Sequence, residues 1–360
     1  MVTDVDGVER VDFINNYSSM IHGHCHPKIV DAIQRQAAKL IAVGAPTESE
    51  IELAELLVSR LPSVEQLRFC NSGTEAVMIA IQAARTFNGR TKIAKFEGAY
   101  HGGYDYVQLH ADNVPAAISR DVVVLPYNDI EASRRLLDAH KAELAAVIFD
   151  PIVGRRAFLE ATPAFIAFVR EWTRANDVLL ILDEVFSFRV DFHGAQGKYR
   201  VDPDLTALGK IIGGGIAIGA VGGKAGVMAV FGDGTGPPRF HHHGTYNANP
   251  LAMAAGLVSM QLLDAAAIAR INALGDRLRD GFNRAFAQTR TPAKAQGVGS
   301  MVAIADTTPE IIARIHRELL NRGVLIMPRG AFVISTPMTE AEIDRTLAAV
   351  AESLSAVEAR

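Results

Sequence analysis

Three polar segments of the chain directly follow runs of apolar residues, at the places where strands of an α/β sheet would end. They are Asn71–Ala76, Asp183 and Lys210. Open α/β sheets bind ligands at the carboxyl ends of their strands, because parallel strands end at one edge. We therefore expect these three segments to lie close together in one site.

The segment Asn71–Ala76 follows the strand-like run Gln66–Cys70 and would begin a helix. Backbone N–H groups at a helix N-terminus, together with a Thr hydroxyl, suit an anion such as phosphate. A plain N-cap with an acidic first turn explains the same residues equally well. This segment alone leaves both interpretations open.

Asp183 follows the apolar run Val178–Leu182, so it would lie at the end of a buried strand. A buried carboxylate is costly unless it meets a cation or hydrogen-bond donors. It could serve as a cap for the following loop or as the partner of a charged ligand. Both readings stay open for this residue taken alone.

Lys210 ends a further apolar run, Leu205–Gly209, and Gly213–Gly215 follow it. Glycines let a ligand or another stretch of backbone come close. Burial lowers the pKa of a lysine and makes it a nucleophile for carbonyl groups. A lone lysine is more often a solvated charge, so this residue gains meaning from its neighbours.

An anion cradle, a buried Asp and a buried Lys, in this order on one sheet, suit pyridoxal 5′-phosphate (PLP). Lys210 would form a Schiff base with the cofactor aldehyde. Asp183 would pair with the pyridinium nitrogen and keep the ring an electron sink. The helix N-terminus would take the phosphate.

Amphipathic helices alternate with short apolar strands through the middle of the chain. The predicted strands are Gln66–Cys70, Thr91–Phe96, Val122–Leu125, Ala145–Phe149 and Val178–Leu182, and the predicted helices are Glu50–Leu61, Glu75–Phe87 and Pro163–Ala175. Strands separated by helices indicate parallel βαβ units, and so an α/β sheet covered on both faces.

The last part of the chain has two helical patterns, Leu251–Leu263 and Ala267–Arg290, and then a shorter α+β stretch. The elements predicted in that stretch are Met301–Ile304, Thr308–Asn321, Val324–Met327, Phe332–Ser335 and a final helix from Glu340. We therefore predict an N-terminal segment, residues 1–45, that packs on the rest; a large α/β domain, 46–255; and a small α+β domain, 256–360.

Composition excludes several classes of protein. The chain has 360 residues and a formal net charge of −4, with no basic stripe, so nucleic acid is not an expected partner. The apolar stretch Ile211–Phe231 contains seven glycines, which argues against a membrane span. Two cysteines and an acidic start without an apolar signal region favour a cytoplasmic location.

Two further patterns are set aside. The glycines of Gly213–Gly219 fit a loose dinucleotide-binding pattern, but they follow a strand that ends in a lysine, and no acid stands at the required distance. Consecutive histidines, His241–His243, cannot readily face one ion, so we predict a polar loop near a dimer interface and no metal site.

The sequence resembles the class III aminotransferases, which are PLP-dependent enzymes of fold type I. The resemblance covers nearly the whole chain and rests on five ordered segments. These are Asn71–Ala76, Phe96–Gly102, Asp183–Val185, Leu208–Lys210 with its glycine tail, and Gly244–Pro250. It implies a large domain with a mostly parallel central sheet and a smaller C-terminal α+β domain.

The resemblance implies a role for each matched residue. Lys210 would bind PLP and act as the catalytic base, and Asp183 would pair with the pyridine nitrogen. The other residues it assigns to the cofactor are Ser72, Gly73 and Thr74 at the phosphate, Tyr100 and Val185 on the two faces of the ring, His101 in the same motif as Tyr100, and Thr245 at the phosphate of the neighbouring subunit. A homodimer with active sites at the interface is therefore implied.

Two branches of the family are similar to this chain. Gly44–Glu48 and Lys95–Gly98 resemble glutamate-1-semialdehyde aminomutase, whereas Asp12–Tyr17 and Pro328–Gly330 resemble β-amino-acid (β-phenylalanine) aminotransferases. In the second branch Arg329 would bind the carboxylate of an external keto acid through its bidentate guanidinium. The aminomutase has no Arg at the matching place. A surface turn residue is the other interpretation of Arg329.

The chain departs from both branches in several places. It begins some tens of residues later, so we expect it to lack part of the active-site mouth, including an Arg for the substrate carboxylate. Asp150–Pro151 replaces the Glu-Pro of the family, and Val153 stands where relatives have polar residues. A shorter loop after His101 favours the aminotransferase branch.

We therefore expect a cytoplasmic, homodimeric aminotransferase that works by a ping-pong mechanism, with a β-amino acid or related amine as donor and a keto acid as acceptor. One alternative is intramolecular amino transfer of the aminomutase kind, which needs no added keto acid. Another is a PLP-binding homologue with impaired catalysis.

Overall fold

A computed structural model of the chain describes residues 1–108, 114–232, 234–289 and 291–358. The chain divides into two compact units. The small unit comprises Met1–His26, Gly154–Glu160 and Leu263–Arg360, and the large unit comprises Pro27–Val153 and Ala161–Leu262. The division predicted above, at residues 45 and 255, stays a prediction.

The strands and helices are numbered in chain order. The strands are β1 (Val2–Thr3), β2 (Glu9–Asp12), β3 (Gln66–Cys70), β4 (Lys92–Phe96), β5 (Val122–Leu125), β6 (Leu144–Phe149), β7 (Ile152–Val153), β8 (Leu159–Glu160), β9 (Leu179–Asp183), β10 (Leu205–Gly209), β11 (Gly219–Gly223), β12 (Lys294–Val298), β13 (Met301–Ala305), β14 (Val324–Leu325) and β15 (Ala331–Val333). The α-helices are α1 (Pro27–Lys39), α2 (Glu48–Arg60), α3 (Gly73–Asn88), α4 (Ala116–Ser119), α5 (Ile130–His140), α6 (Pro163–Ala175), α7 (Gly194–Tyr199), α8 (Ala225–Met228), α9 (Pro250–Leu262), α10 (Ala265–Ala287), α11 (Pro309–Asn321) and α12 (Glu340–Glu358).

The large unit is built on a seven-stranded sheet with the strand order β3-β11-β10-β9-β6-β4-β5. Only β11 runs antiparallel to its neighbours, β10 and β3, within this sheet. The remaining neighbouring pairs are parallel. The prediction of an α/β fold with a mostly parallel central sheet is therefore confirmed.

The helix α3 lies against this sheet through a face of small and β-branched residues. Its buried side chains include four alanines, which let the helix axis come close to the strands. Ser72 caps its N-terminus by accepting a hydrogen bond from Glu75 N, and Gly89 ends it in a left-handed conformation. This packing places the start of α3 beside the ends of the central strands.

The central strands are buried along their whole length. All five residues of β9 and all five of β10 are buried, so each strand must be apolar until it emerges from the sheet. The parallel register sets Asp183 opposite Ala207, three residues before Lys210. The register therefore delivers a carboxylate and a lysine to the same edge of the sheet.

The small unit contains two three-stranded sheets. One has the order β12-β13-β15 and is antiparallel, and the other joins β1 and β2 to β14. The N-terminal residues belong here because β2 pairs with β14 in parallel and Phe13 packs on the ring of Phe332, 5.4 Å between centroids. No single helix among the described residues is long and apolar enough to cross a membrane. The consecutive helices α9 and α10 reach that length and apolarity only together, and they are bent by 73°.

Candidate active site

Asp183 lies at the carboxyl end of β9 with its side chain almost fully buried. Its Oδ1 accepts a hydrogen bond from Val185 N at 3.0 Å. Its Oδ2 lies 2.7 Å from His101 Nδ1. The second contact is the one that sequence reasoning missed, because 82 residues separate the two side chains in the chain.

His101 stands in the loop that follows β4, and its side chain is fully buried. Because Nδ1 faces the carboxylate of Asp183, that nitrogen carries a hydrogen and donates a hydrogen bond to Oδ2. Nε2 is buried and has no hydrogen-bond partner in the part of the chain that the structure describes. A buried imidazole therefore orients Asp183 from one side while the Val185 amide holds it from another.

Lys210 follows β10 in a left-handed backbone conformation, with φ of 50°, and begins a short 3₁₀ turn. Its Nζ lies 4.9 Å from the centroid of the Phe186 ring. The preceding Gly209 is tightly packed: a Cβ there would lie 3.3 Å from Val185 Cγ1 and 3.4 Å from Gly73 Cα. Lys210 thus leaves the sheet beside Val185 and the first residue of α3.

The start of α3 has the form of a cradle. A Cβ on Gly73 would lie 2.7 Å from Val185 Cγ1, so only glycine fits there. The loop after His101 crosses the helix start, where Gly103 N donates to Thr74 Oγ1 at 3.2 Å. Gly102 has φ of +103°, and its Cβ would lie 2.5 Å from Thr74 Oγ1. The Glu75 amide is bonded to Ser72 Oγ, and the amides that precede it in the first turn are placed as in a natural anion site.

The large unit therefore brings together most of the residues that were predicted for the site. Asp183, His101, Val185, Gly73 and Lys210 are joined by the contacts above, and Thr74 is joined to the His101 loop. Ser72 Oγ is engaged as the helix cap. Tyr100 is 46% exposed beside His101, and Thr245 is exposed in a separate loop.

A hydrogen-bonded chain connects the loop of Thr245 to the start of α3. Arg68 on β3 donates from Nε to His242 Nδ1 at 3.2 Å and from Nη2 to His242 O at 3.3 Å. His242 Nε2 lies 3.2 Å from the Asn247 amide. Asn247 Oδ1 in turn accepts from Asn71 Nδ2 at 3.0 Å.

This chain of contacts was not predicted, although the motif Gly244–Pro250 pointed to the loop. Asn71 continues the chain into α3, since its N–H donates to Glu75 Oε2 at 2.7 Å. Burial and the neighbouring Arg68 and His243 lower the pKa of His242, which favours the neutral imidazole. These hydrogen bonds hold the loop against β3 and the start of α3, while Thr245 stays exposed.

Two more buried carboxylates lie near Asp183. Burial, reinforced by the charge of Asp183, raises the pKa of Asp150 well above its ordinary value, whereas Lys210 lowers it. Asp150 Oδ1 accepts from Ile152 N at 3.0 Å. Asp150 was noted in the sequence only as a replacement for Glu, and the structure adds that it belongs to the electrostatic surroundings of Asp183 and Lys210.

Glu184 ties α7 to the end of β9. Its carboxylate accepts from Ala195 N at 2.6 Å and from Gln196 N at 3.0 Å. Burial raises the pKa of Glu184 to about 7, against the lowering effect of these hydrogen bonds. Glu184 is therefore a structural carboxylate beside Asp183.

Arg329 belongs to the small unit, where it is exposed in the turn between Met327 and Ala331, two residues joined by an isolated bridge. Burial and the neighbouring charge of Arg155 lower the pKa of its guanidinium. Nη2 contacts Met327 Sδ at 3.7 Å. A partly desolvated guanidinium near a second Arg is a suitable partner for a carboxylate.

These residues fit PLP as a ligand. A glycine cradle at a helix start accepts a phosphate, and a buried Asp fixed by an imidazole accepts a pyridine N–H. Lys210, after the neighbouring strand β10, would supply the amine for the cofactor aldehyde. Within the described residues, no group of three or more His, Cys, Asp or Glu could hold a metal ion.

Comparisons with known proteins agree with this geometry. The family model for class-III aminotransferases matches residues 1–356. A glutamate-1-semialdehyde 2,1-aminomutase of Geobacillus kaustophilus (strain HTA426) is 37% identical over 97% of this chain and 87% of the relative.

Solved structures of transaminases are also similar. An ω-transaminase from Sphaerobacter thermophilus is 44% identical, with a TM-score of 0.96 over 98% of this chain and 88% of that one. A β-phenylalanine aminotransferase from Variovorax paradoxus is 35% identical, with a TM-score of 0.92 over 99% and 85%. The chain therefore belongs to the class-III aminotransferase family of PLP-dependent enzymes.

Proposed function

We propose that this enzyme is an aminotransferase that moves an amino group from a β-amino acid or a related amine to a keto acid. Arg329 carries the proposal, because an external keto acid presents a carboxylate that needs a cation and this guanidinium is partly desolvated. The similarity to an ω-transaminase and a β-phenylalanine aminotransferase supports it. The reaction would be ping-pong, with donor and acceptor using one site in turn.

We assign the cofactor contacts as follows. The first-turn amides of α3, with Ser72, Gly73 and Thr74, would bind the phosphate. Asp183, held by His101, would keep a proton on the pyridine nitrogen. Tyr100 and Val185 would cover the two faces of the ring. When bound, PLP supplies an aldehyde that accepts the amino group and a ring that withdraws electrons.

Lys210 would perform the proton transfer. Its Nζ would hold the cofactor covalently at rest and be released by the incoming amine. The free Nζ would then remove the proton from the carbon that bears the amine and return it at the cofactor C4′. Asp183 would support this step by keeping a positive charge on the ring nitrogen, which lets the cofactor ring withdraw electrons.

Two further assignments belong to the same proposal. A homodimer would let Thr245, exposed on each chain, reach the phosphate in the partner's site. The cytoplasmic location stays a prediction from the sequence.

Dependence on an added acceptor tests the proposal directly. We expect product formation from a β-amino acid to require a keto acid, and Lys210→Ala to reduce it by at least about 10⁴-fold. Arg329→Gln should raise KM for the keto acid by about tenfold or more with a smaller effect on the amine half-reaction.

The similarity to aminomutases at 37% identity favours a second candidate, intramolecular amino transfer. That reading predicts turnover of an amino-aldehyde substrate without any keto acid, and an Arg329→Gln variant with unchanged activity. An impaired homologue would instead bind PLP and react with no amine in the panel.

A further inference from the structure

Lys95 is a charged residue in the middle of the hydrophobic strand β4. It is 1% exposed, and the neighbouring Ile93, Ala94 and Phe96 are fully buried. Removing an ammonium group from water is costly unless the protein supplies acceptors for its hydrogens. A buried lysine at this position is therefore expected to make hydrogen bonds that an apolar side chain could not make.

The ammonium group donates to backbone carbonyls of the loop that follows β4. Nζ donates to Val107 O at 2.6 Å and lies 3.5 Å from Ala99 O. Ala99 is the third residue after β4, and Val107 is the last residue of a 3₁₀ turn, Asp105–Val107, within this loop. Hydrogen bonds from a charged donor are about twice as strong as neutral ones, so one buried cation holds two points of the loop.

The residues between those two carbonyls make two separate contacts with the candidate site. His101 Nδ1 lies 2.7 Å from Asp183 Oδ2. Gly103 N donates to Thr74 Oγ1 at 3.2 Å. Both contacts depend on where the loop lies, and Lys95 Nζ contacts carbonyls of the loop before His101 and after Gly103.

We propose that Lys95 is a positioning residue for cofactor binding. Its buried ammonium fixes the loop from Ala99 to Val107, and through that loop it sets the hydrogen bond of His101 to Asp183 and the contact at Thr74. The inference rests on the proposed function, which assigns Asp183 and Thr74 as residues that contact PLP.

The test is the dissociation constant of PLP, measured by equilibrium dialysis of the full-length holoprotein. Lys95→Met keeps an unbranched chain of similar length but removes the charge and the donors. We expect this variant to raise the dissociation constant by about tenfold or more. Lys92→Met is the matched control: Lys92 lies on the same strand but pairs with Glu143, 3.4 Å away, so we expect a change below about threefold.

A double-mutant cycle separates positioning from general stabilisation. In a His101→Ala background, one of the two contacts that Lys95 sets is already lost. Lys95→Met should therefore raise the dissociation constant by a smaller factor there than in the wild type. Equal factors in the two backgrounds would overturn the proposal, because the two residues would then act independently.

The remaining outcomes are also decisive. If the wild type and Lys95→Met bind PLP equally well, this inference is overturned and the proposed function is left intact. Wild-type protein that binds no PLP would overturn both. If Lys95→Met does not fold, Lys95→Gln replaces it; failure of both to fold overturns the proposal, since Lys95 would then stabilise the whole domain.

Discussion

Lys210 holds a left-handed backbone conformation, which costs a residue with a side chain about 1–3 kcal/mol. Such strain persists only where the surrounding structure fixes it. Here Gly209 packs against Val185 and Gly73, so the chain turns sharply at the end of β10. We interpret the strain as the cost of directing Nζ out of the sheet at the cradle.

Asp183 gives the sharpest prediction at the residue scale. Asp183→Asn keeps the size of the side chain but removes the negative charge that would hold a proton on the cofactor ring. We expect the rate of the amine half-reaction to fall by about 10²-fold or more. Stopped-flow absorbance of the PLP-loaded protein measures that rate.

Glu184→Gln is the matched control for Asp183→Asn. It changes the adjacent buried carboxylate, which bonds to the backbone of α7 and not to His101. We expect its half-reaction rate to stay within about threefold of the wild type. A wild-type rate in Asp183→Asn, or an equal loss in both variants, would contradict the role given to Asp183.

Glu184 also makes a prediction at the scale of an element, because it ties α7 to β9. Its folded pKa, about 7, lies above the ordinary value of 4.5, so the folded state binds this proton more tightly. The contribution of this proton to the free energy of unfolding is complete below pH 4.5 and is lost as the pH rises through 7. Between pH 5 and pH 8 the free energy of unfolding should therefore fall by about 2–3 kcal/mol more in the wild type than in Glu184→Gln.

Urea unfolding of both proteins at pH 5 and pH 8 measures this difference. Because other groups titrate equally in the two proteins, the comparison isolates Glu184. Parallel stability profiles for the wild type and Glu184→Gln would contradict the argument.

The loop that carries Thr245 gives a second prediction for an element. Asn247 connects it to Asn71 and His242, so Asn247→Ala should free the loop and raise the PLP dissociation constant about fivefold to tenfold. His241→Ala is the control, since His241 is exposed in the same loop and lies outside this chain of hydrogen bonds. Equal affinities for the two variants would show that the chain does not position the loop.

Much of the fold could be predicted from apolar patterns. The strands Gln66–Cys70 and Val122–Leu125 and the helix Pro163–Ala175 were predicted with the bounds that the structure has. The helix α1 was missed because it buries only Ile29 and Ala32, which leaves a thin apolar stripe. The strand β11 is rich in glycine and therefore has little strand propensity. Position 219 is a glycine because a Cβ there would overlap Ser72 O.

The site could be predicted only in part, for a physical reason. The positions of Asp183 and Lys210 follow from local runs of residues, which a sequence displays. The pair His101–Asp183 joins residues 82 apart, and Arg68–His242 joins residues 174 apart. Such contacts arise from the order of strands in the sheet, which local patterns do not specify.

At the scale of the whole molecule, the large unit exposes apolar side chains that favour a partner subunit. Ile41 is 61% exposed and Tyr246, next to Thr245, is 64% exposed. We predict a homodimer, so sedimentation should give about twice the chain mass of 38.7 kDa. A monomer that binds PLP tightly would contradict this assembly.

Mixed dimers test whether Thr245 acts across the interface. In the proposed dimer, each site takes Lys210 from one subunit and Thr245 from the other. Lys210→Ala and Thr245→Ala therefore remove residues that different subunits contribute to a site. A dimer that contains one chain of each variant should regain one intact site and therefore bind and turn over more than either parent. Activity no higher than in the parents would place Thr245 outside the partner's site.

The central claim is that Lys210, Asp183 and the cradle form a PLP site that performs reversible amino transfer. The absorption spectrum of the purified protein tests it most directly, with β- and α-amino acids added one at a time. We predict a band near ~420 nm from the cofactor joined to Lys210, because PLP carries the chromophore. One donor should convert it to a shorter-wavelength form, and a keto acid should restore it. A protein without any band after addition of PLP, or with a band that no donor changes, would contradict the account.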